Sequence, residues 1–274
     1  MSHFTVMVRL PASVRRDEIE SAVGAMLLPY KEAGCGDRDP PELKKYLQFE
    51  EDEDGSLDRE TGKRGYWRNP NQKWDWWLIG GRWTGSVPVR PGAESGSGEP
   101  GLMTQPNRST VKADYCRISG IDFDALALEG RADADTFWVE WQRFVAGEKF
   151  AVFQGPRHTA LDLGLIECKD ADELTGKEWK TIKWAQPLKA GVDRFDVLKN
   201  TTEAEFRANH ADHFNPIRPY AILDERGWRE PGPMGWFGCS GATPETRRAI
   251  AEGFMPWLRG GNQEDWVVLV DCHI

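Results

Sequence analysis

Apolar positions fall in short blocks separated by polar, turn-rich stretches. Residues 3–10, HFTVMVRL, are dense in β-formers and predict a strand. Val14, Ile19, Val23 and Leu27 recur near helical spacing, which predicts a helix over 14–28 with Ser13 as N-cap and Pro29 as its stop. Residues 73–90, KWDWWLIGGRWTGSVPVR, predict two strands, or a strand and a bend, around Gly80-Gly81. An apolar stripe of Phe137, Trp138, Trp141, Phe144 and Val145 predicts a helix over 133–146. A further helix is expected over 202–214, and a hairpin over 219–230 around Glu225-Arg226-Gly227. Thr243 as N-cap and Pro244 at the first position open a helix over 244–259, which Pro256 should kink or end. The last strand is 265–273, DWVVLVDCH.

Strand, helix, long excursion, hairpin, helix, strand is the order of an α+β fold. We expect a largely antiparallel sheet with helices on one face, a ferredoxin-like core with long insertions. The chain reads as a single domain over 1–274, with an acidic loop at 48–62 and a flexible insertion at 91–110 that opens with PGAESGSGEPG.

Composition refines this picture in three ways. The net charge is −9, but Phe49 to Glu60 carries seven acidic residues against one arginine, so two-thirds of the charge is local. The rest lacks the basic footprint of a duplex-binding protein. No apolar run approaches the roughly 20 residues of a membrane span, and MSHFTVMVRL lacks a secretory pattern, so a cytoplasmic protein is expected. Five cysteines (35, 116, 168, 239 and 272), odd in number and without CxxC spacing, predict reduced thiols.

Tryptophan is the outlier: 13 in all, with Trp67, Trp74, Trp76, Trp77 and Trp83 inside 17 residues. They stand beside Lys73, Asp75, Gly80, Gly81 and Arg82. Indole faces stack on planar groups, arginine pairs with phosphate, and glycine admits a close backbone, so the segment suits a nucleotide-like small molecule. It equally suits a large aromatic core. Alternation would put Trp74, Trp76 and Leu78 on one face and Asp75, Trp77 and Ile79 on the other. Met234-Gly-Trp236-Phe-Gly is a second aromatic–glycine cluster with the same two readings. No Walker sequence, dinucleotide fingerprint or nucleophile elbow is present.

The chain ends form a separate candidate. If the first and last strands pair antiparallel, His3, Asp271 and His273 converge, with Cys272 pointing to the opposite face. Two histidines and a carboxylate would bind a divalent metal or act as acid and base. His3-Phe4-Thr5-Val6 resembles one half of the H-x-T-x signature of the two-histidine phosphoesterases. The second half is missing: His158-Thr159 lacks the spacer and His273 is followed only by Ile274. His210 and His213 sit three apart on an expected helix and read as surface residues.

The islands MSHFTVMV, NPNQKWDWWLIGGRWTG, PYAILDERGWREPGPMGWFG and VVLVDCHI together resemble a family of uncharacterised bacteriophage and prophage proteins. That resemblance implies an accessory role against a host, not a particular reaction. The expected function is binding of a nucleotide-derived small molecule in the Trp/Arg/Gly segment, as a sponge against defence signalling. The alternatives are a phosphodiesterase or hydrolase using His3, Asp271 and His273, and an inhibitor that engages a host protein through the acidic loop.

Overall fold

The computed structural model describes residues 2–34, 39–99, 112–145, 150–155, 182–186, 202–210, 217–235 and 239–274. The chain divides into two compact units, where the sequence reading expects one domain. The first joins Met1–Glu129 to Asn215–Ile274, and the second is the excursion Gly130–Phe214.

The first unit is built on a mixed sheet, and the α+β class holds. Strand β1 (His3–Leu10) is followed by helix α1 (Ile19–Leu27), a hairpin of β2 (Gln48–Leu57) and β3 (Arg64–Arg68), and β4 (Trp76–Ile79). Four short strands come next: β5 (Val87–Pro88), β6 (Ser95–Gly96), β7 (Lys112–Ala113) and β8 (Tyr115–Arg117). Helix α2 (Phe123–Val145) leads into the second unit, which holds β9 (Phe150–Gly155), β10 (Ile182–Gln186) and α3 (Glu203–His210). The first unit resumes with β11 (Ala221–Asp224), β12 (Gly227–Arg229), α4 (Pro244–Arg259) and β13 (Trp266–His273).

The main sheet runs β12-β11-β1-β13-β8-β6, with β4 also paired to β13. Only β1 and β11 pair in parallel; the other pairs in this sheet are antiparallel. This is not the ferredoxin-like order strand for strand, because β12 follows β11 in the chain yet occupies the position outside it. Helices also cover both faces rather than one. Ile19, Val23 and Leu27 of α1 pack with Phe4, Val6, Val8, Val268 and Val270. Phe254, Trp257 and Leu258 of α4 pack with Met7, Val267 and Leu269. Successive strand residues point to opposite faces, and Val6-Met7-Val8 and Trp266–Val270 are apolar at every position, so each face needs its own cover.

Other expectations shift locally. Arg15, not Ser13, caps the short 3₁₀ turn Arg16–Glu18 that precedes α1, because Pro11 to Val14 already closes a turn of its own. Thr243 caps α4 as expected, but the helix continues through Pro256 to Arg259, its last turn held by the buried Trp257 and Leu258. A proline removes one backbone donor, and burial of two large side chains outweighs that loss. The acidic segment is an exposed hairpin, β2–β3, rather than a loop. Its carboxylates are partly paired, Glu51 with Lys63, Glu60 with Lys44 and Glu50 with Arg68. Within the expected insertion, Ser95–Gly96 joins the sheet edge, and 100–110 lie outside the described residues.

In the second unit β9 and β10 pair antiparallel, and Trp138 stacks on Phe206 with ring centroids 5.2 Å apart. Of the stripe expected on α2, the side chain of Trp138 is described and is buried. His213, His158, Cys35 and Cys168 lie outside the described residues. Cys116 and Cys272 are buried free thiols, and Cys239 is free and exposed. Among the described residues no helix is long and apolar enough to cross a membrane.

Candidate functional site

β1 and β13 pair antiparallel along their whole length, with His3 opposite His273 and Thr5 opposite Asp271. Cross-strand partners project from the same face, so the register alone brings both imidazoles and the Asp271 carboxylate together. The rings lie 4.9 Å apart, edge to face at 71°. His3 Nδ1 hydrogen-bonds Asp271 Oδ1 at 2.9 Å, and His273 Nδ1 hydrogen-bonds Asp75 Oδ1 at 2.6 Å. Each histidine thus has its own carboxylate. Neither Nε2 has a hydrogen-bond partner among the described residues. The imidazoles are about one-sixth exposed, whereas Asp271 is buried.

β4 completes the site. On the far side of β13, β8 pairs with residues 266–268 and β4 with residues 270–273, so the two short strands share one edge. At Gly80 the chain must leave that edge, and its N–H donates to Leu269 O as it does so. Gly80 and Gly81 both take positive φ, +73° and +53°. A Cβ on Gly80 would fall 2.3 Å from Asp114 Oδ2, and one on Gly81 2.5 Å from Asp271 Cβ. The Gly-Gly pair therefore threads the loop between two buried carboxylates. Asp271 Oδ2 accepts the Arg82 backbone N–H at 3.0 Å. Asp114 accepts the Gly85 and Gly98 N–H groups, which oppose the upward push of burial on its carboxyl. The loop thus fixes Asp271, and Asp271 fixes His3.

The structure sorts the expected ligand-binding residues into three groups. Trp76 stands opposite His273 across the β4–β13 pair, is 45% exposed, and has its ring 6.2 Å from that of His3. Asp75 lies in the site as the orienting partner of His273, a role the sequence reading did not assign. Gly80, Gly81 and Arg82 act through the backbone, with the Arg82 side chain exposed.

Four further residues are structural. Trp74 does not share a face with Trp76. It is buried against the α1 side, its indole N–H donating to Leu27 O, because β4 begins only at Trp76 and Trp74 instead bridges Lys31. Lys73 is tied to Glu230 at 2.6 Å, and Trp83 packs on the α4-side core. Met234 packs against the α1-side core, and Ser2, next to His3, donates to Gly235 O. Trp236 lies outside the described residues. Cys272 points to the α1 side, where burial and then the Asp271 charge push its thiol up and keep it protonated.

Two imidazoles, each held at Nδ1 by a carboxylate, present Nε2 for proton transfer; the same device orients metal ligands. Among the described residues no three His, Cys, Asp or Glu side chains are placed to share a metal ion. No protein-family model, curated protein or solved structure matches the chain.

Proposed function

We propose that the protein is a phosphodiesterase that cleaves a nucleotide-derived phosphodiester with His3 and His273 as its acid–base pair. The observation that carries this reading is the doubled His–carboxylate arrangement, His3 with Asp271 and His273 with Asp75. A protein that only sequesters a ligand has no need of two imidazoles held in fixed orientation with Nε2 unengaged. In the reaction one neutral imidazole takes the proton of the attacking hydroxyl or water through Nε2. The other, protonated, gives its Nε2 proton to the leaving oxygen as the P–O bond breaks. Asp271 and Asp75 set the tautomer and stabilise whichever ring is charged. The half-signature His3-Phe4-Thr5 agrees with this chemistry, and Asp271, rather than a threonine, faces Thr5 across the strand pair.

Trp76 supports a nucleotide as substrate, since an exposed indole beside the imidazoles gives a base or sugar a surface to stack on. In the bacteriophage setting suggested by the sequence islands, the enzyme would act in the host cytoplasm and remove a nucleotide defence signal by cleaving it. The test is hydrolysis of a panel of 2′,3′-cyclic and 3′,5′-linked nucleotides. Cleavage of at least one is expected, with His3→Ala and His273→Ala each lowering kcat/KM by about 10²–10⁴-fold. No cleavage of any member, or full activity in both variants, overturns the assignment.

A further inference from the structure

Around the edge of β4 from the histidines, on the α1 side of the sheet, lies a cleft of about 620 Å³. That volume is in the range of small-molecule sites, roughly 300–1,000 Å³. Its walls are Trp76, Trp77, Ala25 and Leu28, with Gly24 on the floor and Asp75 at one end. Gly24 keeps the floor low, since a Cβ there would touch the Trp77 ring at 3.4 Å. The lining is largely apolar and carries three indole rings, Trp74, Trp76 and Trp77, so the occupant it suits is a planar ring that can stack on them.

The polar end sets the chemistry of that ring. Lys31, the cation lining the cleft, is bound to Asp39 at 2.5 Å, so its charge is already matched. Asp75 remains, and an ionised carboxylate only accepts hydrogen bonds. Glu32 stands near enough that, after burial, the Asp75 charge is the main influence raising its carboxyl. A ring recognised here must offer N–H donors. Guanine places two adjacent donor groups, N1–H and the N2 amine, on one edge to match a carboxylate, whereas the amines of adenine and cytosine sit beside a ring-nitrogen acceptor and uracil has a single N–H between two carbonyls. Asp75 is also bonded to His273, so the ring site and the imidazole pair adjoin through one residue.

We infer that this cleft holds a guanine-type purine ring of the nucleotide whose phosphodiester meets His3 and His273, an inference that rests on the phosphodiesterase reading for the second half only. Ala25 is exposed on α1 and faces the cleft, so Ala25→Phe fills the space and Ala25→Glu adds charge at little cost to the helix.

The experiment titrates the full chain with guanosine, adenosine and uridine 5′-monophosphates by calorimetry. Guanosine monophosphate should bind at least about tenfold more tightly than either adenosine or uridine monophosphate, and adenosine monophosphate binding as tightly as guanosine monophosphate overturns the inference. Both Ala25 variants, with thermal melts like that of the unaltered chain, should weaken it at least about tenfold. Equal binding of all three, no binding, or unchanged binding in both variants overturns the inference. Guanosine monophosphate binding without cleavage of any phosphodiester leaves this ring site standing and removes the phosphodiesterase. Cleavage of guanosine and uridine 2′,3′-cyclic phosphates at equal rates, unaffected by either Ala25 variant, does the reverse.

Discussion

Two buried carboxylates, one near each end of the β1–β13 pair, face different company. Asp271, at the His3 end, accepts from one imidazole and one peptide N–H. Asp224, on β11 beside Arg9, accepts from the side chains of Arg9, Arg226, Arg229 and Trp257 and from the Arg226 backbone. Burial pushes the Asp224 carboxyl up, but the Arg226 and Trp257 donors and the Arg229 charge outweigh it and hold it down at about 2. The Arg9 guanidinium also stacks on the Trp257 ring, 5.0 Å from its centroid. Every partner of Asp224 is a strong, permanently protonated donor, so the cluster locks the β11–β12 hairpin to α4. Asp271 instead holds a group that can gain and lose a proton and whose other nitrogen is unengaged. A saturated buried carboxylate fixes the fold, whereas one that orients an imidazole can serve the proposed acid–base chemistry.

Truncating each hub should therefore break different properties. Asp224→Ala leaves the buried Arg9 with only the longer contact to the exposed Glu225, at 3.7 Å, and should cost about 3–5 kcal/mol of folding stability, measured by urea denaturation. A loss under about 1 kcal/mol would show that the cluster is not structural.

Gly81→Ala should cost about 2–4 kcal/mol, since it forces a side chain into positive φ and against Asp271. It should also lower the proposed phosphodiesterase activity by more than its stability loss explains, because the Arg82 N–H would move off Asp271. Gly62, also at positive φ but with open space around its Cβ position, gives the control: Gly62→Ala should leave activity unchanged.

The smallest effect is on acid stability. The folded Asp224 carboxyl titrates at about 2, below its ordinary value of 3.8. Its contribution is thus fully present above about pH 4 and is lost as pH falls towards 2. In Asp224→Asn that part of the acid dependence should vanish, as followed by thermal melting between pH 5 and 2. An unchanged acid profile would place the titrating group elsewhere.

Much of the scaffold was legible in the pattern. The strand at 3–10, the hairpin of β11 and β12 and the Thr243-Pro244 helix start follow from apolar spacing, turn residues and caps, which are local preferences. The convergence of His3, Asp271 and His273 was legible too, because an antiparallel pairing of the two terminal strands leaves them no other arrangement. The covering of both sheet faces had a signal in Val6-Met7-Val8 and Trp266–Val270, whose lack of alternation argues against an open face. The Trp-rich segment was harder to read. Its alternation failed at Trp74, where a bridge to Lys31 on a distant segment replaced the strand geometry.

By itself, then, the sequence determined the first and last strands, the β11–β12 hairpin and the start of α4, and that the histidines meet once those two strands pair antiparallel. These follow from side-chain period and from turn and cap residues, all readable along one dimension. Tertiary structure alone decided that Asp75 orients His273, that the Gly-Gly turn exists to admit two carboxylates, and that Trp76 faces the site while Trp74 fills the core. Those outcomes depend on β4 and β8 sharing one edge of β13, a competition between segments far apart in the chain that no local preference records.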